Sequence, residues 1–134
     1  MYKWEDELRI GYDEVDEQHR KLFAIFERIE KNFEAGNSES QRRTSMEGVK
    51  YLKEYTFVHF ETEERLQRSL NYVDYEKHKM VHDSFKKQIC AYEKDLLEHS
   101  YDRQVVEQLL LIVRKWLYEH IMGMDQLIPH KYQK

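Results

Sequence analysis

Residues 49–70 read VKYLKEYTFVHFETEERLQRSL. Val49, Leu52, Thr56, His59, Glu63, Leu66 and Leu70 fall along this stretch at alternating steps of three and four, the spacing that keeps side chains on one face of an α-helix. The stripe is apolar at its ends and polar in its middle, where His59 and Glu63 sit one turn apart. A helix packed through this face buries an imidazole and a carboxylate. An ionised carboxylate buried without a partner costs several kcal/mol or more, so the pair calls for a partner.

The same pattern recurs on both sides. Val15, His19, Leu22, Phe26, Ile29 and Phe33 step by three and four, as do Tyr75, His78, His82, Phe85, Ile89, Tyr92 and Leu96, and again Val106, Leu109, Val113, Trp116 and His120. Breaks separate these runs at Gly36-Asn37-Ser38, at 71–74, at 99–102 and at Pro129. The spacing predicts helices over 13–35, 39–70, 74–98 and 102–125. Ser38 and Gln41 form a capping box for the second helix. Gly36 suits the C′ position of the first helix, and Asp74 suits the N-cap of the third. Residues 1–12, with Trp4, Leu8, Ile10 and Tyr12, form an arm across the bundle. The expectation is an all-α fold, an up-down-up-down four-helix bundle with a short N-terminal arm and an internal dinuclear metal site, in which 1–134 make one domain.

Composition agrees. Only four Gly and one Pro occur in 134 residues, against roughly 16 at average usage, so the turn-rich sandwiches, barrels and phosphate-loop folds are disfavoured. Charged residues reach 36% and mean hydropathy is −0.92, but 40% apolar content with ten Tyr, six Phe and two Trp supports a packed core rather than disorder. The net charge of −4, with basic residues scattered among acids, argues against a nucleic-acid footprint or a basic membrane-binding face. The longest apolar run, Leu109 to Val113, is far short of the roughly 20 residues that span a bilayer. The N-terminus lacks the apolar core of a secretory signal, and a single cysteine, Cys90, suits a reducing compartment. A cytoplasmic protein is expected. No motif indicates a protein partner.

Every stripe carries a metal-ligand type where a plain bundle has Leu. His59/Glu63 and His78/His82 are spaced four apart and each pair converges on one point; His19 and His120 join them from the remaining helices. Asp125 lies five residues after His120, about 140° around an ideal helix. It reaches the same point only if the last turn loosens or widens, and Gly123 lies in that interval. A distorted last turn is therefore expected. His99 reads as a helix-end cap and His130 as a surface residue. Cys90 reads as inert filler. Five imidazoles and two carboxylates are too many for one tetrahedral zinc, and no His has a Glu three residues before it, which excludes the paired E-x-x-H sites of carboxylate-rich di-iron bundles. Imidazole with carboxylate suits iron. Five imidazoles, two bridging carboxylates and one bridging oxygen fill all but one position of two octahedral irons, and the vacancy is a place for O2.

Taken in order, the Trp4 segment, Val15-Asp16-Glu17-Gln18-His19, His59-Phe60 with Glu63-Glu64, His78 with His82 and Phe85, and Trp116-Leu117 through His120-Ile121, Gly123 and Asp125 resemble the hemerythrin family in its single-domain bacterial form, over nearly the whole chain. The resemblance implies reversible O2 binding at two non-haem irons with an oxo or hydroxo bridge. It implies that His78, His82 and His120 hold the saturated iron, His19 and His59 hold the iron with the vacancy, and Glu63 and Asp125 bridge them. It also implies an apolar O2 pocket at Leu22, Phe60, Trp116, Leu117 and Ile121. An oxygen carrier, store or delivery protein is expected rather than an enzyme. An O2 or redox sensor, or interaction module, is the alternative, and a peroxidase or NO-handling enzyme is a further one.

Overall fold

The computed structural model describes residues 2–34 and 36–129. His130 and the expected last residue of the first helix, Ala35, lie outside these. Four helices carry the described residues: α1 (Asp13–Asn32), α2 (Glu39–Ser69), α3 (Tyr75–Glu98) and α4 (Arg103–Met122), with no strand among them. Each helix packs on the next and α4 closes the ring against α1. The short links between consecutive helices make neighbours antiparallel, so the chain runs up, down, up and down around one core. Among the described residues no helix is long and apolar enough to cross a membrane.

The helix ends show how a chain so poor in glycine makes its turns. The α2 N-terminus closes with the capping box: Gln41 N donates to Ser38 Oγ at 3.2 Å and Ser38 N to Gln41 Oε1 at 2.7 Å. The C-termini of α2 and α3 both end in a left-handed residue that is not glycine, Asn71 at φ 52° and Ser100 at φ 56°. At each, two amides fold back on the last turn: Tyr72 N to Gln67 O at 3.0 Å and Asn71 N to Arg68 O at 3.1 Å, then Tyr101 N to Leu96 O at 2.8 Å and Ser100 N to Leu97 O at 3.1 Å. These are Schellman pairings, which satisfy the orphan carbonyls. The second is sealed by Leu96 and Tyr101, both buried in the core.

Some expectations need correction. α1 ends at Asn32, with Phe33 as its C-cap, so Gly36 is not at C′ and instead shapes the following loop at φ 145°. Asp74 occupies the N-cap of α3 but its side chain makes no capping hydrogen bond; Asp102 does cap α4, accepting from Gln104 N at 3.2 Å. The α2 stripe does not stay inward to Leu70, which is exposed; Gln67 is buried instead. A straight helix drifts about 20° per heptad against a strict three-four pattern, and Gln67, five full turns beyond Val49, is back in phase with it. The same drift turns Leu109 and Trp116 to the flank of α4 and brings Leu110 and Leu117 inward. Cys90 is exposed rather than filler.

Gly48 on α2 faces Ile29 of α1. A Cβ at this position would stand 2.9 Å from Ile29 Cγ1, so only hydrogen fits without displacing a core side chain. The arm is pinned across one end of the bundle by Asp16, whose two oxygens accept from Ile10 N at 2.9 Å and Gly11 N at 3.1 Å. Leu8 and Ile10 are fully buried. Arg114, buried on α4, donates to Tyr2 O at 2.9 Å and pairs with Glu30, joining the arm, α1 and α4.

Candidate metal centre

The up-down order puts the start of α1, the end of α2, the start of α3 and the end of α4 at the same end of the bundle. His19, His59, Glu63, His78, His82 and His120 come from those four segments, and all are buried. Asp125 joins them from outside α4. The helix stops at Met122 rather than at 125, Gly123 is its C-cap at φ −95° and ψ −87°, and Asp125 opens a 3-10 turn running to Leu127. The expected distortion is therefore a termination and not a widened turn. Gly123 eases this turn: a Cβ on it would press to 3.1 Å from Glu119 O.

The atoms fall into two groups that share the carboxylates. Glu63 Oε1 is 3.0 Å from His78 Nε2 and 3.3 Å from His82 Nε2. Asp125 Oδ1 is 3.0 Å from His78 Nε2 and 3.2 Å from His120 Nε2. The other oxygens turn the opposite way. Glu63 Oε2 faces His19 Nε2 at 3.5 Å and His59 Nε2 at 3.4 Å, and Asp125 Oδ2 faces His19 Nε2 at 3.2 Å. In the three-histidine group, His120 Nε2 stands 3.0 Å from His78 Nε2 and 3.2 Å from His82 Nε2.

These residues fit cations. Ligands at right angles about an ion with bonds near 2.1 Å stand about 3 Å apart, which is the separation seen throughout the three-histidine group. His19 Nε2 and all four carboxylate oxygens are buried with no hydrogen-bond partner, a cost that a cation removes by serving every atom at once. Five residues converge in one group and four in the other.

Without a metal, protons do part of this work. Burial lowers the His19 pKa, but the Asp125 and Glu63 carboxylates outweigh it and raise it to about 9; His78 is raised to about 9 for the same reasons. Burial and the positive charge on His19 push His59 down to about 4. Burial favours a neutral Glu63, yet the surrounding imidazoles hold it well below the usual carboxylate range. Asp125 is held low by His120 and His19 against burial and the charge on Glu63.

A supporting ring orients the imidazoles. His82 Nδ1 meets Glu64 Oε2 at 2.9 Å, His59 Nδ1 meets Gln18 Oε1 at 2.7 Å, and His78 Nδ1 lies 2.9 Å from the Gln67 amide. Gln18 is itself held by Thr62 Oγ1 at 3.2 Å. The acceptors Glu64 and Gln18 fix the proton of His82 and His59 on Nδ1, leaving Nε2 for a metal, whereas the Gln67 contact on His78 is made by its donor nitrogen Nε2. Sequence reasoning assigned no role to Gln18, Glu64 or Gln67. The phase of Gln67 with Val49 on α2 was the available signal.

Leu22, Phe60, Leu117 and Ile121 are buried in the core beside this centre, while Trp116 is half-buried. Phe60 stacks on His82 with ring centroids 3.9 Å apart, and Trp116 stacks on His120 at 4.7 Å. His99 lies elsewhere, exposed at the end of α3, where its Nδ1 donates to Asp95 O at 2.9 Å.

Residues 10–129 match the family model described as Hemerythrin HHE cation binding domain. The chain is 33% identical over 129 residues to a bacteriohemerythrin of Clostridium acetobutylicum, covering 94% of this chain and 97% of that protein. It is 30% identical to a bacteriohemerythrin of Stenotrophomonas maltophilia, over 92% of this chain and 76% of that one. It is 25% identical to a myohemerythrin of Riftia pachyptila, over 92% and 88%. With a bundle whose buried histidines and carboxylates converge from four helices, and a family model that spans nearly all of it, the chain belongs to the hemerythrin family.

Proposed function

We propose that this chain, read as one hemerythrin-like domain over 1–134, binds dioxygen reversibly at a non-haem di-iron centre with an oxo or hydroxo bridge. His78, His82 and His120 would hold one iron, His19 and His59 would hold the other, and Glu63 and Asp125 would serve both. The carrying observation is the division of the carboxylates, each with one oxygen toward members of the three-histidine group and the other toward members of the two-histidine group. This leaves unequal donor sets of five and four residues. With a shared bridging oxygen the larger set is complete and the smaller keeps one free position. When bound, a ferrous pair supplies the two electrons that O2 binding draws on.

The protein's own part is to hold and to exclude. Glu64 and Gln18 accept the Nδ1 protons of His82 and His59 on the outer side, so the Nε2 lone pairs face in. Leu22, Phe60, Trp116, Leu117 and Ile121 offer no acid or base, which supports binding over peroxidase turnover. Their apolar surfaces keep water away. The names of the bacteriohemerythrin and myohemerythrin relatives support the same reading. The single cysteine suits a cytoplasmic location.

The test is anaerobic loading with ferrous iron, metal analysis, and cycling between O2 and argon under a visible spectrometer. Two irons per chain and an absorption band that appears with O2 and fades on degassing are expected. One metal per chain, or a colour change that never reverses, would overturn the proposal.

A further inference from the structure

A cavity of about 30 Å³ lies between α2, α3 and α4 in the half of the bundle away from the histidines, walled by Leu52, Ile89, Leu96, Val106, Leu110 and Val113. A water-sized guest needs about 10–15 Å³, and cavities with apolar walls stay dry and take up apolar guests such as xenon. This one therefore has room for a diatomic molecule and little to offer water.

Its position relates it to the metal centre. Leu52, Ile89 and Val113 each stand seven residues from a histidine on the same helix (His59, His82 and His120), which is two turns or about 10 Å along the axis. Between them lies an aromatic partition, Phe85 stacked on Trp116 with centroids 3.6 Å apart, and Trp116 stacks in turn on His120.

An ion pair lies on the outer rim. Lys53 Nζ meets Glu93 Oε1 at 2.8 Å across α2 and α3, with both side chains part-exposed. The same two residues line a surface groove between those helices, beside Met46 and Leu97. The pair thus lines both groove and cavity. Its strength is that of a solvent-screened contact, and Glu93 Oε2 has no partner, so this part of the rim opens at small cost.

We propose that the cavity is a docking site for a small apolar gas and that dioxygen passes through it, entering past Lys53 and Glu93 and leaving past Phe85 and Trp116. The passage rests on the oxygen-binding reading above; the docking site does not.

Xenon tests the site directly. Crystals of the metal-loaded protein under xenon pressure should show one xenon atom between Leu52, Ile89 and Leu110. An ordered water there, or no density, overturns the site whatever the metal does. Val113→Ile adds a methyl group toward the cavity and should abolish xenon occupancy, with a melting temperature showing that the variant is folded; Val106→Ile is the second filling variant if the first does not fold. Xenon retained in both folded variants also overturns the site. The passage is tested by stopped-flow mixing of the ferrous protein with O2. The filled variants should associate several-fold more slowly, and an unchanged rate overturns the passage.

Discussion

Glu64 Oε2 lies 2.9 Å from His82 Nδ1, while the other ring nitrogen of His82 faces Glu63. Two adjacent glutamates on one helix thus grip one imidazole from opposite sides, one in contact with the centre and one behind it. A carboxylate behind a ligating histidine raises its basicity and fixes its tautomer. Glu64→Ala is expected to lower metal affinity about 10–100-fold, read by competition with a coloured chelator, whereas Glu64→Gln, which keeps an accepting oxygen, should lose much less. Equal losses in the two variants would refute the orienting role.

Asp125 contributes one oxygen to each group of histidines. Asp125→Ala therefore removes a donor from both positions at once. The expected result is a fall in bound metal from two ions to one or none per chain after dialysis, measured by elemental analysis, with the helix content unchanged. Two tightly held ions in this variant would rule out the bridging assignment.

Metal uptake should release protons. His19 and His78 have pKa values of about 9 in the metal-free protein, so both are imidazolium at neutral pH, and a metal must displace those protons. Affinity should climb as pH rises toward 9 and level off above it. Calorimetry at neutral pH in buffers of different ionisation enthalpy measures the release. The sign for stability follows from the same values. Groups raised above the ordinary 6.5 stabilise the metal-free fold fully below that pH, and the contribution is lost as pH rises through about 9. The metal-free protein should therefore melt at lower temperature at alkaline pH, and the metal-loaded protein should not show that loss.

Gly48→Ala forces a methyl group against Ile29, where a Cβ would stand 2.9 Å from Cγ1. The gain in helix propensity is about 1 kcal/mol, while overpacking a core costs typically about 1–3 kcal/mol. Net destabilisation of up to about 2 kcal/mol is expected in urea unfolding. A stabilised variant would mean that α1 and α2 separate freely.

Leu117 is buried in the core beside the centre. Leu117→Asn would bring an amide and its water into the proposed O2 pocket. Faster autoxidation is expected, followed as decay of the oxygenated spectrum, and an unchanged rate would remove Leu117 from the pocket.

Much of this arrangement was legible in spacing alone. Four-residue intervals suffice to bring His59 to Glu63 and His78 to His82, because the helix period does the positioning. Asp125 was legible only through a misfit: five residues cannot close on His120 in a regular helix, and the nearby glycine pointed to a break. The supporting residues were less visible. Glu64, Gln18 and Gln67 are polar residues in a chain that is 36% charged, and in one dimension they look like solvated surface. Their burial depends on how far each helix has drifted around its axis, as Gln67 and Leu117 show, and that phase is set by the neighbouring helices. The left-handed turns at Asn71 and Ser100 were hidden for a related reason: the residue that tolerates the turn is not the one that usually marks it.

The turn that carries Asp125 is fastened to the other end of the chain. Gln126 Nε2 donates to Leu8 O at 3.0 Å, and Ile128 is buried against Ile10 and Val15. The opening dozen residues therefore act as a buckle on the strap that holds a ligand. Removing the arm, or fusing a bulky tag where it must lie flat, should be felt as looser metal retention and faster protease cutting after Met122. A segment ahead of α1 thus holds in place a ligand beyond α4, so the centre can be assembled only once both segments are present.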